Sequence, residues 1–202
     1  MSKMLKDTAI LLVITLVSGL LLGLVYQITK DPIAVQKEKA KQEACQEVFA
    51  DAASFTQVEL TMPDEQIWSE AGFAQETVDE VMAAQDASGA TMGYVITVTT
   101  KEGYGGDISF TVGIREDGTV NGISILSISE TAGLGMRAEE VLKPQFAGKN
   151  AEVFEYTKSG AVTDNQIDAI SGATITTNAV TNGVNAGLYY FRTMLKGGSG
   201  NE

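Results

Sequence analysis

The chain has 202 residues, 44% of them hydrophobic and 20% charged, which suffices for one domain of ordinary size and a membrane anchor. Its formal net charge of −12 at pH 7 argues against nucleic acid as a partner, because phosphate backbones are bound by clustered lysine and arginine. With no histidine and one cysteine, the chain cannot form a Ser-His-Asp triad, a histidine-ligated haem or zinc site, an internal disulfide or a Cys₄ cluster. Any redox chemistry would therefore need a bound organic cofactor.

The N-terminal region predicts a transmembrane helix. No side chain between residues 8 and 29 is charged, and about 22 helical residues span ~33 Å, which matches the hydrocarbon core of a bilayer. The run is longer than the apolar part of a cleaved signal peptide and no small-residue cleavage site follows it. A signal peptide and a buried core helix are the alternatives. Lysines on both sides leave the orientation of the span, and of the segment 1–7 before it, undecided by charge alone.

Residues 30–90 are expected to form a helical linker and the N-terminal part of a soluble domain. Asp31-Pro32 is typical of a helix start, since proline fits the first turn. A helix that buries its end is indicated by the spacing of Ile33, Lys37, Lys41, Cys45, Val48 and Phe49. Between residues 50 and 90 the pattern defines no order of elements, and Trp68 and Phe73 are the candidate core residues.

Residues 91–196 predict an antiparallel sheet with flanking helices. Stretches 93–100, 108–114 and 120–129 are rich in β-branched residues and read as strands. A glycine-rich turn at 101–106 and the hairpin signal Asp117-Gly118 connect them into a three-stranded meander. Helices are predicted at 137–146 and at the end of the domain, where apolar residues recur every three or four positions. The fold class is α+β, with a transmembrane helix before the domain and a flexible tail at 197–202.

One string carries the candidate chemistry: Asp168-Ala169-Ile170-Ser171-Gly172-Ala173-Thr174. It lies just before the last helix, and a helix N-terminus with small residues and hydroxyls suits a phosphate. The residues alone leave two interpretations open. Either the string binds an anion, or Ser171 or Thr174 simply caps the helix while Gly172 permits the turn.

The Asp-x-x-Ser-Gly-Ala-Thr string resembles the flavinylation motif of the FMN-binding domain family. The resemblance implies that FMN is attached covalently, through its phosphate, to Thr174, and that Ser171, Gly172 and Ala173 also belong to the cofactor-binding site. It further implies a flavin transferase that uses FAD and Mg²⁺ and recognises a sequence including Asp168. No side chain of this chain would then be catalytic, because the redox group is the flavin.

Two further strings resemble the same family. Residues 129–135, SETAGLG, are similar to its Glu-Thr-Pro-Gly-Leu-Gly loop, with Ala132 in place of proline. That loop lies against the flavin in the family, which implies cofactor contacts for Glu130, Thr131, Gly133 and Leu134. The turn Gly103-Tyr104-Gly105-Gly106 resembles the family's Gly-Tyr-x-Gly turn.

The single span and the chain length resemble the Rnf G subunits within this family more than the C subunits of sodium-pumping NADH:quinone reductases. The resemblance implies an electron-transfer flavoprotein subunit of an ion-translocating ferredoxin:NAD⁺ oxidoreductase, with the other membrane subunits as partners. It also implies a single-pass protein of the cytoplasmic membrane, with residues 1–7 in the cytoplasm and the flavin domain on the extracytoplasmic side.

Other functions remain as alternatives. The chain would be an FMN-binding domain of another respiratory or extracytoplasmic electron-transfer chain, or a non-redox binding domain if the motif is only a helix cap. A membrane-anchored Ser or Thr hydrolase is disfavoured, because the chain has no histidine and no motif links Lys158 to Ser171.

Overall fold

A computed structural model describes residues 2–196, so that Met1 and the predicted tail at 197–202 lie outside the described residues. The chain divides into two compact units, Met1–Gln42 and Glu43–Glu202. The first unit is a single helix, and the second is an α+β domain, as the sequence predicts.

Helix α1 runs without interruption from Ser2 to Val48. Within residues 2–196 it is the one helix whose length and composition would allow it to cross a membrane. The predicted helix start at Asp31-Pro32 is wrong, since Pro32 lies inside α1. Proline removes the hydrogen bond to the residue four positions earlier and its ring crowds that carbonyl, yet α1 continues on both sides of Pro32.

Five strands form one antiparallel sheet: β1 (Ser54–Gln57), β2 (Glu76–Gln85), β3 (Thr91–Thr100), β4 (Ile108–Arg115) and β5 (Val120–Ser127). Their spatial order is their chain order, so every neighbouring pair is joined directly along the chain. The predicted three-stranded meander is confirmed as β3–β5. The stretch that the sequence left unordered supplies β1, β2 and the short helix α2 (Glu65–Glu70).

Short elements follow the sheet: a 3₁₀ turn (Gly135–Arg137), α3 (Ala138–Val141), α4 (Lys143–Phe146) and the parallel pair β6 (Glu155–Thr157) and β7 (Gln166–Asp168). The single helix predicted at 137–146 is therefore wrong. Pro144 lies in the first turn of α4, where its ring would clash with the carbonyl of Glu140 if α3 continued. The predicted last helix is confirmed as α5 (Thr174–Tyr190), followed by a π-helical turn (Phe191–Lys196).

Helix α5 packs on one face of the sheet and forms the main core with it. Ile96, Val98, Phe110 and Val112 are fully buried in this core. The helix comes so close to β4 that a Cβ on Gly183 would lie 2.6 Å from the Phe110 ring. This contact fixes the position of α5 against the sheet, and therefore also of its first residue.

The end of α1, from Glu43 onward, packs on the opposite face of the sheet. Cys45, Val48 and Phe49 form a second buried cluster with Ala84 and Val95. Glycines of the sheet make room for it, since a Cβ on residue 93 would lie 2.7 Å from the Phe49 ring and one on residue 113 would lie 2.9 Å from the Val48 side chain. The predicted burial of this helix end is confirmed.

We expect a fragment of residues 43–202 to fold on its own, whereas a fragment of residues 50–202 should be markedly less stable. The shorter fragment lacks Cys45, Val48 and Phe49, and losing one large buried aromatic side chain alone costs ~3–5 kcal/mol. Urea denaturation followed by the fluorescence of Trp68, the single tryptophan, measures the difference. Equal midpoints for the two fragments would contradict the structural role of the α1 end.

Glu76, at the start of β2, is a buried carboxyl group with one unsatisfied oxygen. Its side chain is 3% exposed; Oε1 accepts the Thr100 hydroxyl at 3.1 Å, and Oε2 has no hydrogen-bond partner in the described part of the chain. Burial raises the pKa of Glu76 above its ordinary value, and the negative charge of Glu102 adds to the effect. The native state therefore binds a proton at Glu76 more tightly than the unfolded chain does.

Glu76→Gln should remove a pH dependence of stability. Because folding raises the pKa of Glu76, the free energy of unfolding falls as the pH rises from 4.5 to the raised value, by ~1.4 kcal/mol for each pH unit between the two. The neutral glutamine should therefore be more stable than the parent above that window and similar below it. Urea titrations of the cofactor-free protein between acidic and neutral pH measure this. The exposed Glu59→Gln serves as control, and parallel pH profiles for parent and Glu76→Gln would refute the expectation.

Candidate cofactor site

A cleft of about 520 Å³ lies where the β3–β4 turn, the loop after β5 and the start of α5 meet. Its volume is in the usual range for small-molecule sites. The residues that line it are Tyr104, Glu130, Thr131, Leu134, Gly135, Gly172, Ala173, Thr174, Ile175 and Thr176. The sequence-predicted strings thus come together in space from three separate segments.

The buried carboxylate of Glu130 connects all three segments. Glu130 belongs to the loop after β5; its Oε1 accepts the N–H of Gly105 in the β3–β4 turn at 3.0 Å. Its Oε2 accepts the hydroxyl of Thr176 in the first turn of α5 at 2.8 Å. Because each oxygen has a donor, the buried charge is compensated by two charge-assisted hydrogen bonds.

Glycines around Glu130 let the segments approach closely. A Cβ on Gly135 would lie 2.5 Å from the Thr176 hydroxyl oxygen and 2.7 Å from Oε2 of Glu130. In the turn, a Cβ on Gly105 would lie 2.1 Å from the Ser129 carbonyl oxygen. No side chain fits at either position, so the glycine-rich strings are required by the packing of the cleft wall.

A second carboxylate ties the β3–β4 turn to α5. Glu102 accepts hydrogen bonds from the side-chain amides of Asn178 and Asn182 at 3.0 and 2.8 Å. These asparagines are four positions apart and therefore share one face of the helix. The turn is thus held to α5 at two places, through Glu102 and through Glu130.

Thr174 is the first residue of α5 and lines the cleft with its side chain half buried. The N-cap residue is Ala173, and no side chain caps the helix. The alternative that Ser171 or Thr174 caps it is therefore wrong. Gly172 does permit the turn, since its φ of 79° is left-handed. Within residues 2–196 the Thr174 hydroxyl has no hydrogen-bond partner, which leaves it available on the cleft wall.

Three of the predicted site residues do not line the cleft. Ser171 is exposed just before the turn, and Gly133, with φ of 76°, shapes the loop between Thr131 and Leu134. The carboxylate of Asp168 instead accepts the N–H of Ala161 at 2.6 Å. Asp168 is therefore an exposed residue that stabilises the neighbouring loop.

Four residues of the cleft were not among the predicted site residues: Tyr104, Gly135, Ile175 and Thr176. Each lies within or directly after a recognised string, so the signal was present in the sequence. Thr176 and Ile175 occupy the first turn of α5, which reaches the cleft because its N-terminus points there. The fold of the β3–β4 turn places Tyr104 at the cleft. That fold depends on the contact with Glu130, which the sequence alone does not show.

The residues fit a phosphate-bearing, planar ligand such as FMN. The first N–H groups of an α-helix have no partner within the helix and attract anions, and α5 begins at the cleft. A Cβ on Gly172 would lie 3.1 Å from the Leu134 side chain, so glycine keeps the approach to that N-terminus open. Leu134, Ile175 and Tyr104 add the apolar surface that a ring system needs.

Comparisons with known proteins identify the family to which the chain is similar. Residues 103–189 match the family described as the FMN-binding domain, and residues 1–48 match the RnfG N-terminal region. The G subunit of the Na⁺-translocating ferredoxin:NAD⁺ oxidoreductase complex of Acetobacterium woodii is 36% identical over 193 residues, which cover 93% of this chain and 91% of the relative. The proton-translocating counterpart of Clostridium ljungdahlii is 36% identical over 83% of this chain and 80% of its own length.

Among solved structures, NqrC of Shewanella oneidensis matches with a TM-score of 0.50. The match covers 73% of this chain and 84% of NqrC at 18% sequence identity. At that identity the likeness concerns the fold.

Gly135→Ala should destabilise the domain by ~1–3 kcal/mol, the usual cost of an added group in a packed site, because its Cβ would displace Thr176 or Glu130. Gly187→Ala is the matched control, since its Cβ would lie 3.6 Å from Val98 and Val112, an ordinary contact. That change should be neutral or stabilising, because alanine favours a helix by ~1 kcal/mol over glycine. Urea midpoints of the cofactor-free variants measure both effects. A Gly135→Ala protein as stable as the parent would contradict the packing of the cleft wall.

Proposed function

The chain belongs to the family of Rnf complex G subunits, which carry an FMN-binding domain, and on this premise we propose that it is the FMN-bearing electron-transfer subunit of a membrane-bound, ion-translocating ferredoxin:NAD⁺ oxidoreductase. The observation that carries the proposal is the cleft at the start of α5. In it the β3–β4 turn, the loop after β5 and the first turn of α5 meet around an available Thr174 hydroxyl. The FMN supplies the redox chemistry, and the protein holds it and shapes its surroundings.

We place the attachment at Thr174 because the neighbouring hydroxyls are engaged or lie elsewhere. The Thr176 hydroxyl donates to Glu130. The Thr177 hydroxyl donates to the Ala173 carbonyl and accepts the Ile170 N–H, and its side chain is fully buried. Ser171 is outside the cleft lining. Thr174 alone of these four combines partial exposure, an available hydroxyl and a position on the cleft wall.

The position suits a phosphoester. An anion at the N-terminus of a helix is stabilised by the unpaired N–H groups and the helix dipole, typically by ~0.3–1 kcal/mol. A group esterified to the first residue of α5 would hold its phosphate at those N–H groups. The ring would remain chemically unmodified, so its potential would be set by contacts in the cleft.

Attachment requires a second protein. In the proposed reaction a flavin transferase with Mg²⁺ directs the Thr174 oxygen to the FMN phosphorus of FAD; the P–O–P linkage breaks, AMP leaves and the hydroxyl proton is released. Among the described residues no side chain is hydrogen-bonded to the Thr174 hydroxyl, in keeping with an external catalyst. Asp168, exposed and six positions before Thr174, is the residue we assign to recognition by that enzyme.

We further propose that α1 anchors the chain in the cytoplasmic membrane, with the flavin domain on the extracytoplasmic side. The exposed apolar surface of α1 and its match to the RnfG N-terminal region support the anchor. Partners would be the other membrane subunits of the complex, as the names of the relatives describe complex subunits. A covalent bond would keep the cofactor with a domain that faces a dilute exterior.

Thr174→Val should abolish flavin attachment, while Ser171→Ala and Thr177→Val should retain it. Each protein is produced together with a flavin transferase, and its intact mass is measured after denaturation. The parent should exceed its polypeptide mass by one FMN less one water, because transfer from FAD with loss of AMP leaves the same phosphoester that FMN and the hydroxyl would form by condensation. An unmodified parent under these conditions, or a Thr174→Val protein that still carries flavin, would overturn the proposal.

A further inference from the structure

Tyr104 is the aromatic residue in the lining of the cleft, and it is unusually exposed. Its side chain is 71% exposed, although aromatic side chains are normally placed where their large apolar surface can be covered. The neighbouring Leu134 and Ile175 are also exposed, at 41% and 51%. An uncovered ring on the wall of a cleft indicates a surface built to be covered by a ligand.

The backbone of the β3–β4 turn fixes where Tyr104 points. Residues 103, 105 and 106 are glycines, so Tyr104 has the one side chain between Glu102 and Asp107. A Cβ on Gly103 would lie 2.1 Å from the Gly106 carbonyl oxygen, and the Gly105 N–H is bound by Glu130. The turn is therefore folded tightly on itself and against the loop after β5, with Tyr104 left on the cleft side.

The same contacts relate Tyr104 to Thr174. Glu130 joins the backbone next to Tyr104 to the Thr176 hydroxyl, two residues from Thr174 in the same helical turn. Glu102, on the other side of Tyr104, binds Asn178 and Asn182 farther along α5. These hydrogen bonds thus fix the position of the turn that carries Tyr104 relative to the helix that carries Thr174, although the two residues come from different elements.

Resting on the proposed function, we propose that Tyr104 covers the isoalloxazine ring of the attached FMN by stacking, and that Glu130 is the residue that positions Tyr104. Aromatic side chains stack on planar heterocycles in an offset arrangement. A stacked phenol also quenches flavin emission by brief electron donation to the excited ring; the electron then returns, so nothing is consumed. Stacking would both shield one face of the cofactor from water and darken its fluorescence.

The test uses the full-length chain in detergent, produced with a flavin transferase, with FMN content determined by intact mass. Tyr104→Leu should raise the flavin fluorescence per attached FMN several-fold, increase its quenching by iodide and change its visible circular dichroism. Tyr104→Phe should keep the protection from iodide and lose much of the quenching, because benzene is a poor electron donor. Tyr104→Trp should restore the quenching. Val162→Ala, an exposed apolar residue outside the cleft, should change none of these.

The role of Glu130 is tested by a double variant. Glu130→Gln can no longer accept both hydrogen bonds, so it should raise fluorescence and iodide access in the parent background. In the Tyr104→Leu background the same change should add little, because the two residues act as one unit. Fully additive effects would overturn the positioning role of Glu130.

Unchanged fluorescence, iodide access and circular dichroism in a fully loaded Tyr104→Leu protein would overturn the stacking. Loss of attachment in Tyr104→Leu alone would assign Tyr104 to the attachment reaction and would equally overturn it. A parent protein that carries no FMN would instead refute the proposed function. Because Tyr104 is exposed, its variants should fold, and Trp68 fluorescence in urea verifies this.

Discussion

The geometry of the cleft depends on the hydrogen bonds that the carboxylate of Glu130 accepts. This carboxylate is buried, and its two oxygens accept one N–H and one hydroxyl from segments 25 and 46 residues away. Hydrogen bonds to a charged group contribute ~1.5–3 kcal/mol each, and removing either donor would leave a buried charge partly unsatisfied. The three walls are therefore joined by a side chain that tolerates little change in their separation.

The rest of the domain makes this contact possible. Helix α5 is fixed by its packing on β3 and β4, so its first turn presents Thr174 and Thr176 at a set position. Glycines at 103, 105 and 135 then allow backbone and carboxylate to meet where any side chain would intervene. The core determines where the helix begins, and the absence of side chains determines how closely the loops can approach it.

Sequence patterns predicted the elements whose signal is local. Strands β3–β5 have long β-branched runs, and α5 has a regular apolar spacing, so both were predicted closely. Strand β2 was missed because a register shift between Val78 and Glu80 breaks the alternation of inward and outward residues. The separation of α3 from α4 was missed because the pattern over 137–146 is typical of one helix. The single proline at 144 has the stronger effect and divides it.

The candidate site was predictable in part. The family strings identified six residues that line the cleft, including Glu130 and Thr174. They did not show that Glu130 bridges the turn and the helix, since that depends on partners far apart in the chain. They assigned Asp168 to recognition by the flavin transferase, which stays a prediction, and the structure shows that its carboxylate accepts a loop N–H outside the cleft. Resemblance locates the residues, and the contacts among them assign their physical roles.

The first residue of α5 is anchored in a helix whose side chains are mostly buried, from Thr176 to Tyr190. Such a helix cannot change its direction without disrupting the core, so a cofactor bonded to residue 174 would have a short tether and a small range of movement. In electron transfer, a redox group whose surroundings shift little when it gains or loses an electron has a low reorganisation energy. Under the proposed function, the buried helix would thus favour fast electron transfer over short distances. The redox partners would have to approach the flavin, because the flavin itself could move little.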